Sequence, residues 1–93
     1  MNSVHQNIRR AVVAGMFYPA EAAELQQQVD ELLTQASDFE ANPTAIITPH
    51  AGYIYSGPVA ASVYKIIPRH QQRFHRVVLL GPSHRLSFNG MAL

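Results

Sequence analysis

The chain has 93 residues, with seven basic and six acidic side chains, a formal charge of +1 and no cysteine. This length allows one domain at most, and the balanced charge without a basic face argues against nucleic acid as a partner. The lack of cysteine favours a reducing, cytoplasmic setting. No signal-peptide region is expected, and no apolar run approaches the ~18–20 residues of a membrane span.

The first half of the chain predicts a lead-in, a helix and a loop. Gly15 and Pro19 follow a short apolar run, which indicates an extended segment that closes in a turn. Residues 20–36 are predicted to be helical because apolar side chains recur there at helical spacing, and 37–43 read as a loop. The expected buried stripe consists of Ala22, Leu25, Val29, Leu32, Leu33 and Ala36.

A strand and a second helix are predicted next. Residues 44–48, "TAIIT", form a short β-rich run that ends at a proline, which cannot continue a central strand. Residues 56–67 are predicted to be helical, with Ser56 as N-cap and Pro58 in the first turn, where a missing N–H is tolerated. Pro68 is expected to end this helix.

The last part of the sequence predicts a surface connection and a buried strand. Residues 69–76 are polar and basic, which is typical of a solvated loop. Residues 77–81, "VVLLG", form the unbroken apolar run of a strand that is buried on both faces of a parallel sheet. The sequence "FNGMAL" after residue 87 is read as the start of another strand.

Two histidines follow the ends of the predicted strands. Strand 44–48, helix 56–67 and strand 77–81 have the order of a β-α-β unit, whose two strands run parallel. His50 and His84 each follow a carboxyl end, so both are expected at the same sheet edge, where open α/β sheets bind ligands. Two imidazoles there can bind one metal ion. The predicted fold is therefore α/β, the N-terminal part of a mostly parallel sheet with flanking helices.

Simpler interpretations stand beside this one. Each of the two histidines taken alone is more often a surface or hydrogen-bonded residue than a ligand. Tyr53 and Tyr55 either wall a pocket or pack over the sheet edge. A serine nucleophile is not favoured, because "GPSH" lacks the G-x-S-x-G elbow and Ser56 is explained as a cap. The remaining histidines, His5, His70 and His75, are expected to be exposed.

In this order, "AGMFYP", "PHAGYIYSG", "AA" and "VVLLGPSH" resemble the Memo family, whose prokaryotic members are also called AmmeMemoRadiSam system protein B. The resemblance extends from Arg10 to Leu93. It implies an α/β fold similar to class III extradiol ring-cleavage dioxygenases, which use non-haem Fe(II). It also implies that His50 and His84 belong to a metal site, and that the same pocket is lined by Phe17, Tyr18 and Tyr55.

The resemblance also implies partners and a longer domain. Eukaryotic members bind a phosphotyrosine peptide from a growth-factor receptor and are linked to iron or copper and redox chemistry. Prokaryotic members are encoded beside an AMMECR-type protein and a radical SAM protein. Further metal-site residues, a cysteine and a downstream histidine or aspartate, would lie beyond residue 93, and Arg85 stands where some relatives carry a second histidine. Residues 1–93 are therefore expected to be a truncated N-terminal portion of one Memo-like domain.

Three functions stay open on the sequence alone. The first is binding of Fe(II) or Cu, with a redox or dioxygenase-type role on a small aromatic substrate. The second is a non-catalytic module that binds a peptide or a partner protein in the same pocket. The third is an inactive fragment. We prefer the first, because a histidine pair at a sheet edge is a costly arrangement for peptide binding alone. Neither nucleic acid nor a membrane is an expected partner.

Overall fold

Two helices pack against each other and carry the fold. The computed structural model describes residues 8–67 and 74–92, with helix α1 at Ala22–Gln35 and helix α2 at Tyr53–Tyr64. Within these ranges, neither helix has the length and apolar character that a membrane span requires.

Helix α1 lies inside the predicted helix 20–36. Glu21 and Ala36 flank it in extended conformation, so the helix begins two residues later and ends one residue earlier than predicted. Glu24 lies in the first turn, where a carboxylate interacts favourably with the helix dipole. The predicted apolar stripe is only half-buried, and Ala22 is exposed; the half-buried members are Leu25, Val29, Leu32, Leu33 and Ala36.

Helix α2 begins three residues before the predicted start, so the assignment of Ser56 as N-cap is wrong. Gly52 is the N-cap, and its carbonyl accepts the N–H groups of Tyr55 at 2.9 Å and Ser56 at 3.0 Å. Pro58 therefore lies inside the helix, beyond the first turn, and leaves the Ile54 carbonyl without its usual donor. The helix ends at Tyr64 rather than at 67, and Pro68 lies outside the described residues.

The two helices are in contact at Leu32 and Gly57. A Cβ added to Gly57 would lie 3.0 Å from Leu32 Cδ1, so the absence of a side chain permits this packing. Among the described residues, the buried apolar side chains are Ala61 and Ile66. The core is therefore thin, and small changes in helix packing should change a large share of the stability.

Lys65 joins the end of α1 to the end of α2. Its Nζ donates a hydrogen bond of 2.7 Å to the Ala36 carbonyl, one of the groups that a helix leaves unpaired at its C-terminus. The same ammonium lies 3.5 Å from Asp38 Oδ1. A cation at this position also interacts favourably with the negative end of the α1 dipole.

In the described part of the chain, the segments predicted as strands lie outside regular secondary structure. No strand forms there at 44–48, at 77–81 or at 88–92. Ile47 is 95% exposed, and the side chains of residues 77–80 are 75–86% exposed. A strand needs a neighbouring backbone to satisfy its N–H and C=O groups, and among the described residues these segments pair with none. The predicted parallel sheet therefore stays a prediction.

Candidate functional site

The rings of His50 and His84 lie together. Their Nε2 atoms are 3.3 Å apart, and the ring centroids are 5.3 Å apart with planes inclined at 48°. Each histidine lies just after an apolar run that ends at a proline, Pro49 before His50 and Pro82 before His84. Both residues are exposed, so solvent or a ligand reaches the pair directly.

The spacing of the two nitrogens suits a shared metal ion. Imidazole nitrogens bind ions such as zinc at about 2.0–2.1 Å, so two nitrogens on one ion are about 3.3–3.4 Å apart in tetrahedral geometry and about 2.8–3.0 Å apart at adjacent octahedral positions. The observed 3.3 Å matches the tetrahedral spacing. Among residues 8–67 and 74–92, no group of three histidine, cysteine, aspartate or glutamate side chains comes together in a way that could hold an ion.

The His50 turn is attached at two points. The Ser56 hydroxyl donates to the Ala51 carbonyl at 2.9 Å, and the Tyr53 N–H donates to the Phe17 carbonyl at 2.8 Å. Gly52 lies against the Phe17 backbone, since a Cβ added at Gly52 would make ordinary van der Waals contact with Phe17 Cα at 3.5 Å. The turn is thus fastened both to α2 and to the N-terminal segment.

The His84 turn is closed by a serine of its own. Ser83 Oγ donates to the Leu86 carbonyl at 2.6 Å and accepts the Leu86 N–H at 3.3 Å. This local loop is a common use of serine in turns, and it explains Ser83 without a nucleophilic role.

The predicted aromatic residues of the pocket occupy different surroundings. Gly15 has φ +83°, a conformation that glycine adopts without strain, and its N–H donates to the Tyr18 carbonyl at 2.7 Å. This turn presents Phe17 and Tyr18 to the start of α2. The Tyr18 ring lies 5.6 Å from the ring of Tyr53, with planes tilted by 38°.

Tyr55 stands apart from these contacts, because it is 82% exposed. An open depression beside His84 is lined by residues 80–88 and 90–92 of the same segment, and among the described residues it does not include Phe17, Tyr18 or Tyr55. The structure thus brings His50 to His84 and Tyr18 to Tyr53, but leaves Tyr55 in solvent. His75 is exposed, as predicted, whereas His5 and His70 lie outside the described residues.

Sequence reasoning missed the role of Ser56 in the turn. The sequence Ser-Gly-Pro at 56–58 predicts a helix start at Ser56, because a serine N-cap with a proline in the first turn is a common pattern. The signal in the sequence for this role is Gly52, which can serve as an earlier N-cap. With the helix starting there, the Ser56 hydroxyl reaches the Ala51 carbonyl.

Known proteins resemble nearly the whole chain. A sequence profile described as Memo-like protein matches residues 9–93. A MEMO1 family protein of Aquifex aeolicus is 46% identical over 77 residues, which cover 83% of this chain and 27% of that protein. The protein named MEMO1 of Xenopus tropicalis is 42% identical over 85 residues, covering 91% of this chain and 28% of that protein.

An archaeal relative gives the same result. A MEMO1 family protein of Methanococcus maripaludis is 42% identical over 94 residues, covering 90% of this chain and 33% of its own length. The chain thus spans about a third or less of the curated relatives it matches. No solved structure matches it significantly. The profile match over residues 9–93, with these relatives, establishes that the chain belongs to the Memo family.

Proposed function

We propose that this chain supplies His50 and His84 as two ligands of an iron or copper site in a Memo-family domain with a redox or dioxygenase-type role. The observation that supports the proposal is the 3.3 Å separation of the two Nε2 atoms. The remaining ligands would come from polypeptide outside this chain, since catalytic metal sites usually have three protein ligands.

Stability alone gives little reason for this contact. An intramolecular hydrogen bond contributes about 0.5–1.5 kcal/mol net, and ordering two side chains offsets part of that gain. Both histidines are exposed, so no buried polar atom needs satisfying. A shared ligand therefore explains the juxtaposition better than packing does.

The chain's own residues would bind and present the ion. His50 and His84 offer the lone pairs of neutral imidazoles, and the turns that carry them are held by Ser56 and Ser83. Bound iron would supply activation of O₂ or binding of a catechol-like aromatic compound. The exposed position of the pair leaves room for such a substrate.

The expected α/β fold belongs to the same proposal. Residues 44–48 and 77–81 would become parallel strands when neighbouring strands of a longer Memo domain are present. Their carboxyl ends would then hold the histidine pair at the sheet edge, the usual place for a ligand in such folds. A cytoplasmic setting is proposed on the same sequence arguments as above.

Metal titration tests the proposal. The chain is titrated anaerobically with Fe(II) and separately with Cu(II), and bound metal is measured after equilibrium dialysis. We expect one ion per chain in the wild type and loss of binding in His50→Ala and His84→Ala. His75→Ala is the matched control, because it removes another exposed histidine. Equal binding by all four proteins, or none by the wild type, would contradict the proposal.

A peptide-binding module is the second candidate. Ile54 and Tyr55, in the first turn of α2, are 84% and 82% exposed, and neighbouring exposed apolar and aromatic side chains are typical of binding surfaces. If a phosphotyrosine peptide binds the chain with an affinity that survives His50→Ala and chelation but falls in Tyr55→Ala, this function is favoured over the metal site.

A further inference from the structure

Ser56 is buried at a position where the helix itself does not require a hydroxyl. The residue is 7% exposed, and it is the one buried polar residue among the described residues. Burying a hydroxyl without a hydrogen-bond partner costs free energy. The acceptor that the Ser56 hydroxyl bonds therefore indicates the role of this residue.

The hydrogen bond of Ser56 leaves the helix. Serine within a helix commonly bonds the carbonyl four residues earlier, which here is Gly52, at 3.4 Å. The shorter bond, 2.9 Å, goes instead to the carbonyl of Ala51, which precedes the N-cap. Because the Gly52 carbonyl already accepts two backbone N–H groups, the Ser56 hydroxyl serves mainly Ala51.

Ala51 directly follows His50. Fixing the Ala51 carbonyl fixes the peptide plane between Ala51 and Gly52, the second peptide after the His50 Cα, and so restrains the turn from which the imidazole projects. The second attachment of the turn, Tyr53 N–H to the Phe17 carbonyl at 2.8 Å, does not involve Ser56. A substitution at Ser56 therefore removes the first attachment and leaves the second in place.

We infer that Ser56 is a positioning residue for His50: its hydroxyl holds the Ala51 carbonyl, which keeps the His50 ring against His84. The effect of Ser56 on metal affinity rests on the proposed metal site, whereas its effect on the position of the His50 ring does not require a metal. Outer residues that orient metal ligands typically change affinity 10–100-fold when they are removed, so we expect at least about a tenfold loss of metal affinity without the hydroxyl.

NMR of the metal-free chain tests the geometry. The wild type should give a cross-peak between the ring protons of His50 and His84, whose centroids are 5.3 Å apart. Ser56→Ala should lose this cross-peak but keep the one between Tyr18 and Tyr53, at 5.6 Å. A merely structural role for Ser56 would weaken both together. Absence of the histidine cross-peak in the wild type, or its survival in Ser56→Ala, would overturn the inference.

Two further variants and one control complete the test. Ser56→Thr keeps the hydroxyl and should restore the histidine cross-peak. If Ser56→Ala does not fold, Ser56→Cys, which keeps the volume with a much weaker donor, should fold and lose that cross-peak; retention would overturn the inference. Ser62→Ala removes a hydroxyl that bonds the Val59 carbonyl at 2.6 Å on the same helix, and it should leave the cross-peak unchanged.

Metal titration of the same variants separates the two proposals. A tenfold loss in Ser56→Ala but not in Ser62→Ala supports both. A cross-peak that depends on Ser56 in a chain that binds no metal supports the inference and contradicts the proposed function. Metal binding that is equal in wild type and Ser56→Ala supports the proposed function and overturns the inference.

Discussion

His50 and His84 are 34 positions apart in the chain, yet their Nε2 atoms lie 3.3 Å from each other. Neither residue is in a helix, and the segments that precede them form no strand in the described residues. The contact is therefore set by the turns that carry the histidines. A serine holds each turn: Ser56 bonds the carbonyl after His50, and Ser83 closes the loop around His84.

Gly57→Val should loosen the packing of the two helices. A Cβ at this position would lie 3.0 Å from Leu32 Cδ1 and 3.4 Å from Leu32 Cδ2, so the larger side chain forces the helices apart. We expect a loss of about 1–3 kcal/mol in the free energy of unfolding, measured by urea denaturation with far-UV circular dichroism.

Gly81→Val is the matched control for this substitution. No atom lies within 4 Å of a Cβ added at Gly81, and its φ is not positive. Its unfolding curve should stay close to that of the wild type. Equal losses in both variants would contradict the role given to the Leu32–Gly57 contact.

Lys65→Met should destabilise the chain mainly by removing the bond to the Ala36 carbonyl. This bond is 2.7 Å long and comes from a side chain that is 24% exposed, so we expect a loss of about 1.5 kcal/mol, typical of a hydrogen bond to a charged group. The ion pair with Asp38 adds little, because the Asp38 side chain is 64% exposed.

Added salt separates the contribution of the Lys65–Ala36 hydrogen bond from that of the Lys65–Asp38 ion pair. Loss of the ion pair in Asp38→Asn should lower the free energy of unfolding by less than about 0.5 kcal/mol, and added salt should shrink this difference. The larger effect of Lys65→Met should persist in salt. If Asp38→Asn is as damaging as Lys65→Met, the carbonyl bond is not the main contribution.

The apolar segment 77–80 should cause self-association. Its side chains are 75–86% exposed, and a contiguous exposed apolar run is a site for association with another chain. The apparent mass from light scattering should therefore rise with protein concentration. Val78→Lys should reduce this rise, because a charge opposes strand pairing.

Val12→Lys is the control for the effect of charge alone. Val12 is 65% exposed but lies outside the apolar segment. This variant should associate like the wild type. A monomer of constant mass over the whole concentration range would show that the exposed segment drives no association.

The sequence predicts the helical parts of this structure because their signals are local. The spacing of apolar residues placed α1 within two residues of its observed start. At α2 the same rules chose the wrong start, since serine followed by Gly-Pro fits an N-cap and a first turn. Tertiary contacts decide otherwise: the Phe17 carbonyl takes the N–H of Tyr53, and the helix begins there.

The sequence predicts the histidine pair from two parallel strands that end at one sheet edge, and that arrangement stays a prediction. In the described residues, which contain no such strands, the rings of His50 and His84 nevertheless lie together. The aromatic contact of Tyr18 with Tyr53, rather than with Tyr55, depends on the start of α2. The attachment of Tyr53 to Phe17 and this ring contact cannot be read from spacing alone, because both depend on a backbone hydrogen bond between segments that are distant in the sequence.

A double-mutant cycle in metal affinity tests the central claim most directly. Affinities for Fe(II) and Cu(II) are measured anaerobically for the wild type, His50→Ala, His84→Ala and the double variant. If both rings bind one ion, each single substitution should lower the affinity at least about tenfold, and the double variant should lose little more than either single variant. Two separate weak sites would instead lose bound ions in each single variant while the affinity of the remaining site stays unchanged, and that result would contradict a shared ion at His50 and His84.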